Sequence, residues 1–360
     1  MTRAALEAML LPALNLLLAL LLSGAIVRLL GEDPVAALPI LISGAFGDAE
    51  SLCYTLYYAT SFLFGGLAVA LAMRGGLLNI GGEGQATLGG LAVALLCLAV
   101  PGWPLWLVAP LAILAAGLAG AGWAFIPAWL QARRGSHIVV TTIMFNMIAS
   151  ALLAYLLVRV MSATGQQSPQ SPDLAPALWL PTASSIAGLF GWRIPPAPLN
   201  VSFLLALAAA WLVGHLLWRT RWGYELRTLG QSEAAARYAG IEVPHLTILA
   251  MLLSGALAGC IGINEVMGAQ HRLMLNFVGG AGFVGLAVAL MGRNRPAGIV
   301  AAAILFGALT QGGGELALER PAITREMVVV IQGLVILFCG ALETMLKAPL
   351  SSLLGRKLES

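Results

Sequence analysis

The chain has very little charge for its size. Only 10% of its 360 residues are charged, whereas 59% are apolar and the mean hydropathy is +0.91. A soluble domain needs a largely polar surface, so this composition excludes an ordinary soluble protein and indicates an integral membrane protein. No long polar segment separates the apolar runs. We therefore expect a single transmembrane domain over residues 1–360.

Lysine is almost absent, and this limits the chemistry available. Lys347 and Lys357 are the only lysines, and neither follows a glycine, so no phosphate-binding loop of the G-x-x-x-x-G-K-[ST] type occurs. The chain also lacks paired carboxylates, a Ser/His/Asp set or a metal set at useful spacing. The sequence thus predicts a protein that is not an enzyme and holds no cofactor of its own.

Cysteine and histidine are few, with four residues of each type. Both types are scattered, without the spacing of a metal site or a disulfide framework, so we expect them to be packing residues. The positions are Cys53, Cys97, Cys260, Cys339, His137, His215, His245 and His271.

Long apolar runs recur from end to end and predict an all-α polytopic membrane protein with about ten transmembrane helices. The predicted spans are 8–30, 53–73, 78–100, 104–130, 138–161, 199–218, 245–267, 279–292, 297–313 and 325–346. The run 279–292 is short for a full crossing, which predicts a broken or re-entrant segment. The run 8–30 exceeds a typical signal-peptide core, so we expect a membrane helix there, with a cleavable signal as the alternative.

The distribution of arginine and lysine predicts the orientation. Placing both termini in the cytoplasm puts most basic residues on the cytoplasmic side, as the positive-inside rule requires. The loops 131–137 and 293–296 are then cytoplasmic. The proline-rich loop 162–198 is extracytoplasmic, and we expect no regular helix in it. This bias also explains the net charge of +3, so we expect no nucleic-acid partner.

A polar, basic island at about 222–241 lies between two apolar runs. Ser232 can cap a short helix, Glu233 and Arg237 stand four residues apart, and Gly240 can supply a left-handed stop before Pro244. A helix of this kind on the cytoplasmic side could be held by a soluble protein. The island therefore predicts a docking element.

Amides, carboxylates and hydroxyls within the apolar runs are candidates for a polar path. Such groups are costly at membrane depth unless they face a cavity or have partners. Amides and hydroxyls also suit a neutral, hydroxyl-rich solute. The candidates are Asn79, Glu83, Gln85, Thr142, Asn146, Asn264 and Glu265. Thr142 and Asn146 stand four residues apart and should share one face of a helix. We expect Asn79, Glu83 and Gln85 to form one polar cluster, with Glu83 hydrogen-bonded inside the protein, among five glycines that permit a break in the helix. For these three, a purely structural hydrogen-bond network is an equally good interpretation.

Three blocks carry a resemblance to a known family. They are Glu233-Ala234-Ala235-Ala236-Arg237-Tyr238-Ala239-Gly240-Ile241, the glycine-rich stretch 74–85, and the stretch 282–296. The first resembles the coupling-helix motif of ABC importer permeases, and the others resemble the "NIG-x-EGQ" and "GF-x-GIAVALLG" signatures of the branch that imports nucleosides and simple sugars.

The resemblance implies a type II ABC importer-like fold in a bacterial plasma (inner) membrane. It implies three partners besides membrane lipid: a cytoplasmic ATPase that binds ATP and Mg²⁺, a second homologous permease, so that a heterodimer is expected, and an extracytoplasmic solute-binding protein. The residues implied in coupling are Glu233, Ala234, Ala235, Arg237, Tyr238 and Gly240.

A secondary transporter driven by an ion gradient is the main alternative, with Glu83, Glu265 or Glu315 as the ion site. A passive channel is a further alternative. Neither needs an ATPase dock, so the docking element favours the importer.

Overall fold

The computed structural model describes residues 21, 22, 24, 25, 27, 28, 31–161, 168–320, 323, 324 and 327–334. The regular structure in these ranges is helical. The helices are α1 (Pro34–Phe46), α2 (Ala49–Arg74), α3 (Gly82–Ala99), α4 (Leu105–Arg134), α5 (Ile138–Arg159), α6 (Ala183–Leu189), α7 (Ser202–Arg219), α8 (Arg221–Gln231), α9 (Glu233–Tyr238), α10 (Val243–Gly259), α11 (Ala281–Met291) and α12 (Pro296–Glu319). A π-helix, Ile263–Gln270, follows α10, and a 3₁₀ turn lies at Pro176–Leu178.

Within the described ranges, seven helices are long and apolar enough to cross a membrane, counting Val243–Gln270 as one. They correspond to seven of the predicted spans, and the all-α polytopic fold is confirmed. The predicted span 279–292 forms the 11-residue α11. At 1.5 Å per residue α11 is about 16 Å long, too short to cross alone. Most of the predicted spans 8–30 and 325–346 lies outside the described residues.

Two short helices were not expected from the sequence. The Asp33 carboxylate caps α1 by accepting the Val35 N–H at 2.9 Å, and Pro34 occupies its first turn. Helix α6 lies inside the proline-rich loop, so the prediction of no regular helix there was wrong. The reason is that Pro181 and Pro195 flank α6 without interrupting it, and Thr182 caps its start.

The chain forms two compact units, the first comprising residues 1–55 and 308–360. It contains α1, the start of α2 and the end of α12. Its core includes Val27, Ala37, Leu316, Ile323, Val328 and Ile331. Helix α12 packs closely on α1, because a Cβ atom at Gly312 would lie 2.1 Å from the carbonyl oxygen of Leu41.

The second unit comprises residues 56–307 and holds most of the membrane helices. Helix α2 is its interior helix, with 78% of its most apolar stretch buried, against 28% for α5 and for α7. Glycines let the helices approach closely. A Cβ atom at Gly120 of α4 would lie 2.1 Å from the carbonyl oxygen of Gly255 on α10. A Cβ atom at Gly89 of α3 would lie 2.3 Å from the carbonyl oxygen of Gly259, also on α10.

Candidate translocation and coupling sites

The glycine-rich block forms a non-helical link between α2 and α3. Helix α2 ends at Arg74, Gly76 has the left-handed φ of +75°, and α3 begins at Gly82. Asn79 therefore precedes α3, whereas the predicted span began at 78 and placed it inside the helix. The glycines permit the break, as expected.

Asn79 is buried and its hydrogen-bonding capacity is fully used within the protein. Its Nδ2 donates to Gln85 Oε1 at 2.9 Å and to Ser254 Oγ at 2.8 Å. Its Oδ1 accepts from Gly81 N at 2.9 Å and from Gln85 Nε2 at 3.1 Å. An amide has two donors and two acceptor sites. Asn79 and Gln85 thus lock the link onto α10 in this conformation.

Glu83 does not join this amide pair. Its two carboxylate oxygens accept the backbone N–H groups of Gly280 and Gly282 at 2.9 and 3.0 Å. These are free N–H groups at the start of α11, so Glu83 caps that short helix and its charge suits the positive helix end. The expectation that Glu83 is hydrogen-bonded inside the protein is confirmed. The expectation of one cluster with Asn79 and Gln85 was wrong, because residues two apart on α3 face different directions.

Asn146 on α5 performs the same task for α3. Its Oδ1 accepts the Gly84 N–H at 2.9 Å, and its Nδ2 donates to the Ile80 carbonyl at 2.9 Å. Thr142 shares the buried face of α5 with Asn146, as predicted, and returns its hydroxyl to the Ile138 carbonyl at 2.8 Å. A side chain from a neighbouring helix therefore satisfies the start of the broken segment.

Asn264 and Glu265 lie side by side in the π-helix and are both buried. The Glu265 carboxylate accepts Tyr57 Oη–H at 2.5 Å and Ser61 Oγ–H at 2.8 Å. Asn264 Nδ2 donates to Ser61 Oγ at 2.8 Å, and its Oδ1 accepts from Ser202 Oγ at 2.8 Å and Asn200 Nδ2 at 3.0 Å. Wide π-turns are frequent at functional sites. This cluster joins α2, α7 and the π-helix.

The hydroxyl partners in these networks were not identified from the sequence. Tyr57 and Ser61 stand four residues apart on α2, and Ser254 lies at the Asn79 contact. Tyr57 and Ser61 could have been found from the sequence, because hydroxyls four residues apart in an apolar run lie on one face of a helix.

The polar island forms two helices, α8 and α9, separated at Ser232. Ser232 Oγ accepts the Ala235 N–H at 3.2 Å, and Arg237 pairs with Glu233 at 2.6 Å. Gly240 has φ +77°, and Pro244 lies in the first turn of α10. Each of these local predictions is confirmed.

Helix α9 presents most of its surface to the outside. Ala234, Ala235 and Tyr238 are exposed, Tyr238 at 98%. Ala236 is fully buried, so it holds α9 against the body of the protein. The residues that the resemblance implies in coupling include Ala234 and Ala235 and leave out Ala236.

A cationic and aromatic contact ties α8 to the core of the second unit. The guanidinium carbons of Arg227 and Arg74 lie 4.5 and 5.2 Å from the Trp218 ring centroid, within range for cation–π attraction. Arg74 also donates to the Asn294 carbonyl at 2.9 Å, in the link between α11 and α12. A Cβ atom at Gly230 of α8 would lie 2.2 Å from the Arg74 carbonyl oxygen. Helix α8 is thus packed directly on the end of α2.

A family model described as the branched-chain amino acid transport system / permease component matches residues 51–340. The chain belongs to this family. It is a permease subunit of an ABC importer and not an enzyme, and the gradient-driven alternative is not supported.

Three relatives align with this permease over most of its length. A glucose ABC transporter permease of Haloferax volcanii is 36% identical, over 91% of this chain and 86% of the relative. A guanosine ABC transporter permease of Bacillus subtilis is 33% identical, over 92% of this chain and 93% of the relative. A nucleoside ABC transporter permease of Lactococcus lactis is 31% identical, over 91% of this chain and 90% of the relative.

Proposed function

We propose that this permease carries a nucleoside or a related simple sugar across a bacterial inner membrane, and that α9 is the element through which a separate ATPase drives it. The exposed and well-capped α9 is the observation that supports the docking role. Residues 1–360 would act as one membrane domain. ATP and Mg²⁺ would bind to the ATPase.

The shape of α9 suits a docking role. A six-residue helix is too short to be stable by itself, so its Ser232 cap, its Glu233–Arg237 pair and buried Ala236 fix its geometry. Ala234 and Ala235 offer a small-residue surface, beside which Tyr238 projects. An exposed aromatic side chain next to small residues is typical of the anchors of protein interfaces.

The packing of α8 supports transmission of movement from α9 into the membrane. Helix α8 is joined to α7 through Thr220 and to the end of α2 through Arg227, Trp218 and Arg74. Arg74 in turn holds the link between α11 and α12. A displacement of α8 would therefore act on several membrane helices together.

The polar networks suit a neutral solute. Glu83 and Asn146 accept N–H groups at the starts of α11 and α3, and the Glu83 charge is offset by two of these groups. We propose that Asn79, Glu83, Gln85, Thr142, Asn146, Asn264 and Glu265 shape the path, with amide and hydroxyl groups meeting the solute when the path opens. The relatives named for glucose, guanosine and nucleoside transport support this solute class.

The remaining partners and the orientation complete the proposal. A second homologous permease would form the other half of the path, and a solute-binding protein would deliver the substrate on the side of the loop 162–198. Both termini would lie in the cytoplasm with α9.

The docking role is tested by transport in the reconstituted complex. Ala235→Trp should abolish ATP-driven uptake, because a large ring on the exposed surface of α9 would separate it from the ATPase. The control is Leu118→Trp, a position on the membrane helix α4 that is 71% exposed and lies away from α9, which should transport normally. Unimpaired uptake and unimpaired ATPase association in Ala235→Trp would refute the docking role.

A further inference from the structure

An apolar groove lies beside α6, in the segment that precedes the membrane helix α7. Its volume is about 330 Å³, and its lining is almost entirely apolar. The walls include Ile186, Phe190, Trp192, Ile194, Phe203 and Leu204. The one polar residue in the lining, Asn200, directs its amide to Asn264 and Pro198.

The rim of this groove exposes large apolar side chains. Leu189 is 84% exposed, Phe190 76% and Trp192 72%. Three large apolar side chains within four residues would leave a sizeable apolar patch in water, which soluble surfaces rarely carry. The patch therefore indicates an apolar surrounding.

The groove is continuous with the membrane-facing side of α7. Phe203 and Leu204 form one wall and also belong to the first turn of α7. Leu204, Trp211 and Leu212 are exposed at 62%, 71% and 56%, and their spacing of seven and eight residues places them on one face of the helix. This face meets lipid wherever α7 crosses the membrane, so the groove opens directly onto lipid at the end of the crossing.

We propose that α6 and the segment 190–194 lie in the membrane boundary as an interfacial anchor, and that the groove holds the acyl chain of a phospholipid. Trp192 then sits at headgroup depth, where amphipathic rings are enriched. The neighbouring Arg193 is exposed and supplies a cation for the lipid phosphate. The anchor fixes the start of α7 at the membrane surface.

The position of Trp192 is measured with a fluorescent probe in the full-length permease in lipid nanodiscs. In a background without Cys53, Cys97, Cys260 and Cys339, a bimane label is placed by Trp192→Cys. Two reference sites are labelled in the same way. Trp211→Cys reports lipid on α7, and Tyr238→Cys reports water on α9.

We expect nitroxide-labelled phospholipids to quench bimane at 192 severalfold more strongly than aqueous iodide does, as at 211 and opposite to 238. Nitroxides near the headgroup should quench 192 better than deep ones. Strong iodide quenching at 192 would overturn the proposal. Iodide quenching that only an added solute-binding protein relieves would assign the patch to that protein instead. Leu189→Cys gives a second position if the label at 192 disturbs the groove.

Discussion

At the scale of single residues, the intramembrane polar groups mostly satisfy one another. Asn79 uses its whole amide, and Glu83 and Asn146 satisfy N–H groups at the starts of α11 and α3. A helix start buried without such partners would be costly. The charge at position 83 therefore has a structural explanation that requires no ion coupling.

Substitutions at Glu83 separate the two explanations. Glu83→Gln keeps one oxygen acceptor and should lower thermal stability moderately while retaining substantial uptake. Glu83→Leu leaves both N–H groups without an acceptor, at about 1–3 kcal/mol each, and should lose uptake. Melting temperature and uptake are measured in the reconstituted complex.

An ion-coupling carboxylate would give a different result. Glu83→Gln would then be as inactive as Glu83→Leu, and uptake would collapse with an uncoupler while ATP is maintained. That outcome would contradict the capping role.

At the scale of elements, the loop after α5 is held against the segment after the π-helix. Ser171 N donates to the Leu273 carbonyl and Leu174 N to the His271 carbonyl, both at 2.8 Å. His271 stacks on Trp179, with ring centroids 3.9 Å apart. Burial, assisted by Arg272, lowers the pKa of His271, which the Met267 carbonyl and Asp173 oppose. The docked arrangement therefore favours the neutral imidazole of His271.

The docking of this loop should depend on pH. Because the pKa of His271 is lower while the loop is docked on it, His271 binds the proton more readily when the loop is released. The contribution of His271 to the stability of the docked loop is fully present above the ordinary histidine pKa of about 6.5. It is lost as the pH falls through the lowered pKa. Amide exchange at Ser171 and Leu174, corrected for intrinsic rates, should accelerate over that range.

The control for this prediction is His271→Asn. Asparagine tolerates the left-handed backbone at this position, where φ is +54°, but does not titrate. Its exchange should show no such acceleration. An equally steep pH response in the variant would exclude His271 as the cause.

The elements show which features the sequence could reveal. The Ser232 cap and the Glu233–Arg237 pair were predictable because each involves residues within four positions. The long spans followed from their apolar runs. Glu83 meets Gly280 and Gly282, which are 197 and 199 residues away, and no local pattern encodes that meeting. Helix α1 was missed because its 13 residues are too few for a span.

At the scale of the whole molecule, the basic residues predict which side of the membrane each loop occupies. Arg133 and Arg134 end α4, and α8 and α9 carry three more arginines. The positive-inside rule places these segments in the cytoplasm. The loop containing α6 then lies on the opposite side.

Single cysteines test this orientation in intact cells. In the cysteine-free background, Ala177→Cys and Arg134→Cys both place a thiol at an exposed position. A membrane-impermeant thiol reagent applied outside should label 177 and spare 134, and permeabilised cells should show both labelled. The reverse pattern would mean that the orientation is inverted.

The caps that cross between helices also restrict how the permease can move. Sliding α11 along α3 would break the hydrogen bonds from two N–H groups to Glu83. Separating α5 from α3 would break the hydrogen bond from the Gly84 N–H to Asn146. Each loss would raise the barrier to switching. The motion with the lowest barrier moves these helix starts together as one body, and the chain bends elsewhere. The segment 271–280, with its left-handed residues at His271 and Asn276, offers the pivot for such a rigid-body swing.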